Sequence, residues 1–386
     1  MPVMGVCMKN VCFLLRILSI SACMMPLFLL LSCADAKYVR DSVAVNPYDK
    51  MCVSDFVKDC TEIRLQQSDS CVISQIDVVK ISGGSLLVSD RNQLYLFDTN
   101  GQFKKRIGQK GNGHGEYIRI DDFDMVGDNV FVLSSYQNVL LEYTKEGNFV
   151  RKHSLCDTYF KFRPVGDCVI ILDSQCSNDT HANFVWYDVS SDKEVKTSGS
   201  FDKNQSMVMD GFTAFIGTNG HQLVALPFDY SVYMLHENGG ELESLVTFEF
   251  ETKEKFPSDA STKDFNEFYE STKNRNVVKY LQGYVEKEKR RYLMYPLFDE
   301  QGGINTCITC VKADGSSRSY KLGSVIDKSF RYFDMGDFMG VKGDSLILTC
   351  PADVILRCEK ERGLSHFAKT GLKSGDNPVV FIYTLK

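Results

Sequence analysis

The chain has 386 residues, of which 44% are hydrophobic and 24% are charged, which is enough apolar material for a large buried core. Its formal net charge is -6, the two signs are interspersed, and no block of lysine and arginine occurs. Proteins that bind nucleic acid normally carry a basic patch, so the composition argues against a nucleic-acid partner.

The N-terminal residues have the pattern of an export signal. An apolar run, Ile17–Leu31, follows Lys9 and Arg16. A basic start, an apolar centre and small residues at the cleavage point are typical of a secretory signal peptide, and the run is short for a membrane span. We therefore predict that residues 1–32 are a signal peptide.

Cys33 follows Leu-Leu-Ser, a sequence that resembles the lipobox of bacterial lipoproteins. We predict that Cys33 is the lipidated first residue of the mature protein and that residues 33–58 form a tether. The domain would then be held to a membrane of the bacterial cell envelope. Two alternatives stay open: an ordinary signal peptide with a chance cysteine, and an uncleaved anchor.

A hairpin pattern recurs through the chain: a strand, an aromatic or aliphatic residue, two further residues, then Asn, Asp or Glu followed by Gly. The strand needs β-branched or aromatic residues, and the turn needs residues that adopt positive φ. Copies occur at Phe97–Gly101, Tyr143–Gly147, Leu235–Gly239 and Val311–Gly315, with a degenerate copy at Tyr187–Ser191 and a last strand that reaches Tyr383.

The first copies are separated by about 46 residues, which is the period of a four-stranded propeller blade. We therefore predict an all-β protein, a six-bladed β-propeller of four-stranded antiparallel blades over residues 59–386. An open β-sandwich is the alternative fold.

The two ends of the repeat region predict how the ring closes. The last copy stops at Lys386 after its third strand, whereas Thr61–Gln67 alternates apolar and polar residues, as a half-exposed strand does. We predict that this N-terminal strand completes blade six, which leaves no free end blade.

Two intervals are longer than the others and must hold insertions. Phe265, Phe268 and Tyr269 have the spacing of an amphipathic helix, so we predict one helical insertion near residues 258–280, packed on a blade edge. The second insertion, Glu359–Asp376, is rich in lysine, glycine and serine and is predicted to be an exposed loop.

The segment Gly108-Gln-Lys-Gly-Asn-Gly-His-Gly-Glu-Tyr117, with Asp121-Asp-Phe123 after it, is the most distinctive motif. It resembles a motif of the six-bladed β-propeller lipoproteins of Bacteroides-type bacteria, which are similar to NHL-repeat propellers. That family has proline where this chain has His114. Residues 376–386 also look like the family's closing segment. The resemblance implies the fold and export, but little chemistry.

Two interpretations of this Gly-rich loop stay open. Glycines permit positive φ and a close approach of the backbone, so the loop suits a tight crossover between blades one and two. Glu116 would then bond backbone amides and Tyr117 would pack between the blades. Alternatively, His114, Glu116 and Arg119, with Tyr117 beside them, bind a ligand at the rim.

Further candidate binding residues lie where strands end, near prolines and aromatic residues. These are Arg163, Asp229, Tyr230 and Asp299. Blade ends line the mouth of a propeller, which favours a binding surface there. Aspartate also stabilises turns, so Asp229 and Asp299 have a purely structural interpretation as well.

The sequence contains no recognisable metal or catalytic motif. Cys307 and Cys310 have the spacing of half a zinc site, but residues i and i+3 of a strand point to opposite faces. None of the six histidines has a metal-ligand spacing, and no Gly-x-Ser-x-Gly element is present. We predict no catalytic residue and no cofactor, with a divalent metal gathered from several blades as the alternative. Ten cysteines remain after the signal peptide and Cys33, and sequence does not determine their pairing.

These observations predict a monomeric domain that acts as a binding or interaction module, with a glycan, a peptide or an envelope protein as its ligand. One alternative is a metal-dependent lyase or hydrolase with its site in the central channel. The other is a structural subunit of an envelope uptake assembly.

Overall fold

The computed structural model describes residues 41–174, 181–200, 212–236, 238–251, 267, 270–271, 275–299, 301, 303–323 and 327–386. The signal peptide and Cys33 lie outside these residues. So do Phe265, Phe268 and Tyr269, on which the predicted helical insertion near residues 258–280 was based.

Six small sheets form a ring, which confirms the predicted six-bladed β-propeller. The first strand of each blade is innermost and lies beside the first strands of its neighbours. Blades one to three consist of β3 (Val78–Ser82), β4 (Ser85–Ser89), β5 (Leu94–Asp98), β6 (Phe103–Ile107); β7 (Asp122–Val126), β8 (Asn129–Ser134), β9 (Val139–Thr144), β10 (Phe149–Ser154); and β11 (Lys161–Pro164), β12 (Val169–Asp173), β13 (Ala182–Asp188), β14 (Lys193–Ser200).

The other three blades follow the same antiparallel order, with the first strand of blade five broken in two. They consist of β15 (Phe215–Thr218), β16 (Gln222–Val224), β17 (Ser231–Leu235), β18 (Glu243–Phe250); β19 (Val277–Val278), β20 (Gly283–Lys287), β21 (Arg290–Phe298), β22 (Ile304–Val311), β23 (Ser317–Lys321); and β24 (Asp337–Lys342), β25 (Ser345–Cys350), β26 (Val379–Leu385), completed by β2 (Val57–Arg64).

The recurring hairpin joins the third and fourth strands of a blade, as the sequence pattern predicts. Gly101, Gly147, Gly239 and Gly315 adopt φ values of +81°, +82°, +74° and +81°. A side chain is strained in this region, which explains why glycine recurs at the same place in four blades.

Ring closure occurs as predicted, with a small difference in the bounds of the closing strand. The strand β2 pairs antiparallel with the C-terminal β26, and it spans Val57–Arg64 instead of Thr61–Gln67. The amide of Gln66 then donates to the carbonyl of Gly101 in blade one, at 2.8 Å. The buried Asn377 accepts from the amide of Ile73 at 2.7 Å and donates to the carbonyl of Cys71. Blades six and one are thereby joined by backbone and side-chain bonds.

The expected tether is shorter than residues 33–58, because the propeller begins at Asp41. A strand β1 (Asp41–Val45) pairs parallel with β18, so blade four has a fifth, outer strand. A short helix α1 (Val53–Phe56) precedes β2. The physical reason is that this mostly polar segment contains apolar side chains that become buried. Those of Val43, Val45, Met51, Val53 and Phe56 are each at most 6% exposed.

The prediction of an exposed loop over Glu359–Asp376 was wrong in its first half. The chain forms helix α2 (Ala352–Arg362) and a short helix α3 (His366–Lys369). Gly363 ends α2 in the left-handed conformation, a common helix terminus. Ile355 and Phe367 are fully buried and anchor the two helices on blade six. Of the helices in the described part of the chain, none is both long and apolar enough to span a bilayer.

Alanine substitutions at two glycines with the same φ test the closure of the ring. A Cβ on Gly101 would lie 2.2 Å from the carbonyl oxygen of Arg64 in β2, whereas a Cβ on Gly315 would meet no atom within 4 Å. Both residues have a φ of +81°, so both alanine variants pay about 1–2 kcal/mol of backbone strain. We expect Gly101→Ala to lose a further 1–3 kcal/mol, roughly, from overpacking. The denaturant midpoints of the two variants measure the difference, and equal midpoints would contradict the close approach of blades one and six.

Candidate functional site

All the predicted binding residues except Arg163 lie at one end of the propeller. Connections from the last strand of one blade to the first strand of the next emerge at the same end as the connections between second and third strands, because neighbouring strands run antiparallel. We call this end the upper face. The Gly-rich loop, Asp229 with Tyr230, and Asp299 all lie there, on blades one to two, four and five respectively.

The Gly-rich loop has the contacts of a crossover between blades. Tyr117 is fully buried; its hydroxyl donates to the carbonyl of Ile107 at 3.0 Å and accepts from the side-chain amide of Gln93 at 3.0 Å. The carboxylate of Glu116 accepts from the amide of Gly113 at 2.8 Å and from the side chain of Gln109. Glu116 therefore fills the loop, and its hydrogen bonds hold the pKa of its carboxyl below the usual value.

His114 and Arg119 leave this loop in different directions. The exposed ring of His114 packs edge-on against Phe149 of the outer strand β10, with 4.8 Å between ring centroids. Arg119 Nε lies 2.8 Å from a carboxylate oxygen of Asp121, next to the inner strand β7. The structure therefore does not bring His114, Glu116 and Arg119 together around one space.

Asp229 and Asp299 both stabilise turns. Asp229 accepts from the amide of Ser231 at 2.9 Å and from the hydroxyl of Tyr233. Asp299 accepts from the amide of Gly303 at 2.7 Å and from two other donors in the same turn. The hydroxyl of Tyr230 donates to the carbonyl of Val278 at 2.7 Å. Each of these groups already has partners within its own blade or the adjacent one.

Arg163 belongs to an ion cluster on the innermost strands of blades one to three. Lys80 Nζ lies 2.6 Å from Asp122 and 3.7 Å from Asp124, and Arg163 Nη1 lies 3.6 Å from Asp122. The amide of Phe162 also donates to Asp122, at 2.9 Å. The Lys80 and Asp122 side chains are 12% and 1% exposed. The cluster therefore joins three blades at the wall of the channel.

Sequence reasoning did not identify Lys80 as part of this cluster. Its signal is a charged residue in the middle of an apolar first strand, Val78–Ser82. Burial lowers the pKa of Lys80 to about 8, the neighbouring Arg163 acts in the same direction, and Asp122 and Asp124 oppose them. Burial alone would raise the pKa of Asp122, but Lys80, Lys161 and Arg163 outweigh it and leave that pKa below its usual value.

No group of three or more histidine, cysteine, aspartate or glutamate side chains is arranged to hold a metal ion within the described ranges. Cys307 and Cys310 lie on β22 and face opposite sides of blade five, toward blades four and six respectively. This confirms the predicted opposite orientation of the two side chains. The nine described cysteines of the mature chain are all free thiols.

An open groove on the upper face of blade six is the strongest candidate site. It has a volume of about 350 Å³ and is lined by Cys60, Glu62, Lys328, Ser329, Phe330, Arg331, Tyr332, His366 and Tyr383. We call it the blade-six groove. Four separated parts of the chain build it: the closing strand β2, its partner strand β26, the connection that follows β23, and helix α3. Pockets that combine apolar walls with a few convergent polar groups are typical ligand sites.

The walls of the blade-six groove are held in place by buried hydrogen bonds. Tyr332 donates its hydroxyl to Glu359 at 2.6 Å, and the amide of Phe367 donates to the same carboxylate at 2.8 Å. Burial alone would raise the pKa of Glu359, but these donors and the amide of Ala368 keep it below its usual value. Glu359 thus fixes both the 327–332 segment and α3, which carries His366.

The floor of the groove contains a cysteine beside a tyrosine. Cys60 and Tyr383 are cross-strand partners in the pairing of β2 with β26. Burial raises the pKa of the Cys60 thiol to about 12. A thiol in that state is protonated at neutral pH and is a poor nucleophile, so Cys60 is not a candidate nucleophile of the groove.

Comparison with known proteins places this architecture in a family. Residues 40–384 match the family described as a domain of unknown function, DUF4934. The chain belongs to the DUF4934 family. The matched range begins beside β1 and includes β2, so the family domain contains the additional strand of blade four and the closing strand of blade six. No curated protein matches the chain significantly.

Two solved structures from Bacteroides share the fold. A Bacteroides fragilis protein assigned to export is 18% identical, with a TM-score of 0.70 over 89% of this chain and 99% of that chain. A member of the DUF4221 family from Bacteroides vulgatus is 10% identical, with a TM-score of 0.51 over 88% of this chain and 99% of that chain. At such identities the similarity concerns the fold, and the predicted likeness to NHL-repeat propellers stays a prediction.

The titration of Lys80 is a test of the inner ion cluster. Its pKa is about 8 in the folded protein, against 10.5 ordinarily. Between these values the unfolded chain binds more protons at Lys80, so stability rises with pH. We expect wild-type protein to gain up to about 3 kcal/mol relative to Lys80→Met between pH 8 and 10.5. Denaturation of both proteins at a series of pH values measures the gain, and a constant difference would show that Lys80 titrates normally.

Proposed function

We propose that this DUF4934 protein is an exported binding module of the bacterial cell envelope and that its ligand occupies the blade-six groove. The observation that carries the proposal is the groove itself, an open space of about 350 Å³ with both aromatic and charged walls. Among the described residues, no cluster of histidine, cysteine, aspartate or glutamate side chains is arranged to hold a metal ion. A glycan, a peptide or a segment of an envelope protein are the ligand classes that the proposal admits.

Export is supported by two independent observations. The first residues have a basic start and an apolar centre, as signal peptides do. The similar Bacteroides fragilis protein is itself assigned to export. The free thiols do not conflict with export, because burial keeps several of them unreactive, with the pKa values of Cys60, Cys307 and Cys350 raised to about 12.

The proposal includes a lipid anchor on Cys33, which would set the position of the domain. The strand β1 starts at Asp41 and is paired with β18, so only residues 34–40 remain between the anchor and a fixed part of blade four. Eight peptide steps span at most about 28 Å. The outer edge of blade four would therefore stay close to the membrane surface, and the propeller would be held near the bilayer.

Blocking the groove tests the proposed binding site without any assumption about the ligand. Ser329 is exposed at the groove, whereas Ser374 is exposed on the same face and does not line it. Wild-type protein, Ser329→Trp and Ser374→Trp are applied to glycan and peptide arrays. We expect Ser329→Trp to lose the wild-type signals by at least about tenfold, because the indole fills the groove, and Ser374→Trp to keep them. Signals that survive Ser329→Trp would place the binding site elsewhere.

The lipid anchor is tested separately in a bacterial expression host. We expect a palmitate analogue to label the full-length protein and Cys33→Ala to abolish the label, because the acyl chains are carried by that cysteine. Detection of both proteins with an antibody controls for expression. Labelling that persists in Cys33→Ala, or absence of label in the wild type, would contradict the anchor and leave the groove proposal untouched.

A further inference from the structure

The blade-six groove presents two cations that have no carboxylate partner within the described part of the chain. Lys328 and Arg331 are both exposed, and neither forms an ion pair with a carboxylate of the described residues. Arg331 Nε donates to the carbonyl oxygen of Lys328 at 3.1 Å. The Arg331 side chain thereby bonds back to the turn that carries Lys328, and both cationic residues line the groove.

The acidic side chain of the groove is already engaged. Glu62 lies 2.9 Å from His366 Nε2, and the two side chains are 33% and 48% exposed. Arg64, the next cation along β2, donates to Thr370 and packs over the ring of Phe367. The Glu62–His366 pair comes from β2 and α3, whereas Lys328 and Arg331 come from the connection between blades five and six.

The segment that carries the two cations is held rigidly. Asp327 is 8% exposed and accepts from the amides of Ser54 at 2.9 Å and Ser329 at 2.8 Å. Phe330, the residue between the cations and the floor, packs against Tyr383 with 6.2 Å between ring centroids. A site whose polar groups are fixed beforehand loses less free energy on ordering when a ligand binds.

We propose that the blade-six groove recognises an acidic sugar residue, with its carboxylate or sulfate group between Lys328 and Arg331. This inference rests on the proposed binding function of the same groove. The cations supply charge-assisted hydrogen bonds to the anionic group. The hydroxyl of Ser329 and the Glu62–His366 pair offer acceptors and donors to sugar hydroxyls, and Phe330 offers an apolar surface to the ring. A volume of about 350 Å³ is at the small end for ligand pockets, which suits one or two residues of a larger glycan.

The test uses three sugars that share a ring and differ in charge: D-glucuronate, D-glucose 6-sulfate and D-glucose. Binding to the protein is measured by ligand-observed NMR at low salt and at about 0.5 M salt, where charges on the surface are screened within a few ångströms. We expect binding of at least one of the two acidic sugars, at least tenfold weaker or no binding of D-glucose, and a clear loss at high salt.

Variants assign that binding to the groove. We expect Lys328→Ala with Arg331→Ala to weaken binding of the acidic sugar by about 10–100-fold, as loss of charge-assisted bonds does. Lys152→Ala, on the exposed outer strand of blade two, should leave it unchanged. Thermal unfolding of each variant shows that the fold is retained.

The outcomes separate the two proposals. If neither acidic sugar binds, or if D-glucose binds as well as they do, the inference about the anion is wrong; array signals blocked by Ser329→Trp would still support the groove as the binding site. If an acidic sugar binds equally well to Ser329→Trp and to the double alanine variant, the groove is not the site and both proposals fall.

Discussion

The pairing of β2 with β26 is the interaction on which the propeller depends. It joins a strand near the start of the described chain, Val57–Arg64, to the last strand, Val379–Leu385. Without it, blade six would have three strands and the outer edge of β26 would be unpaired. Because the ring is closed, the innermost strands are fixed relative to one another. That fixed arrangement is what allows Lys80, Asp122 and Arg163, from three blades, to meet in a buried ion cluster.

The parts of the fold that sequence predicts are those set by local chemistry. The turn glycines of four blades must have positive φ, and the incomplete last repeat requires a strand from elsewhere. The strand β1 had no comparable signal: its pairing with β18 joins segments about 200 residues apart, and only Val43 and Val45 mark its buried face. Helix α2 was missed for another reason, since the glycine- and lysine-rich residues that follow it dominate the composition of the interval.

The candidate site was even harder to predict from the sequence than β1 and α2. Glu116, Asp229 and Asp299 were chosen for their residue types, and the structure shows that local hydrogen bonds engage them. The residues of the blade-six groove carry no motif, because Glu62, Arg331 and His366 come from three segments that only the closed ring brings together. Neither residue type nor spacing predicts such a site. Predicting this groove requires the strand pairing of blade six and the positions of the loops beside it.

The strand pairing that closes the ring also forms the blade-six groove, so ring closure and ligand binding are thermodynamically linked. The groove takes Cys60 and Glu62 from the closing strand, Tyr383 from its partner strand, and Lys328 and Arg331 from the connection between blades five and six. A propeller with β2 detached has no such groove. Any ligand of the groove binds the closed ring in preference to the open one, and so stabilises closure in proportion to its concentration and affinity. The pairing of β2 with β26 and the occupancy of the groove are therefore linked, because a ligand can occupy the groove only when the two strands are paired.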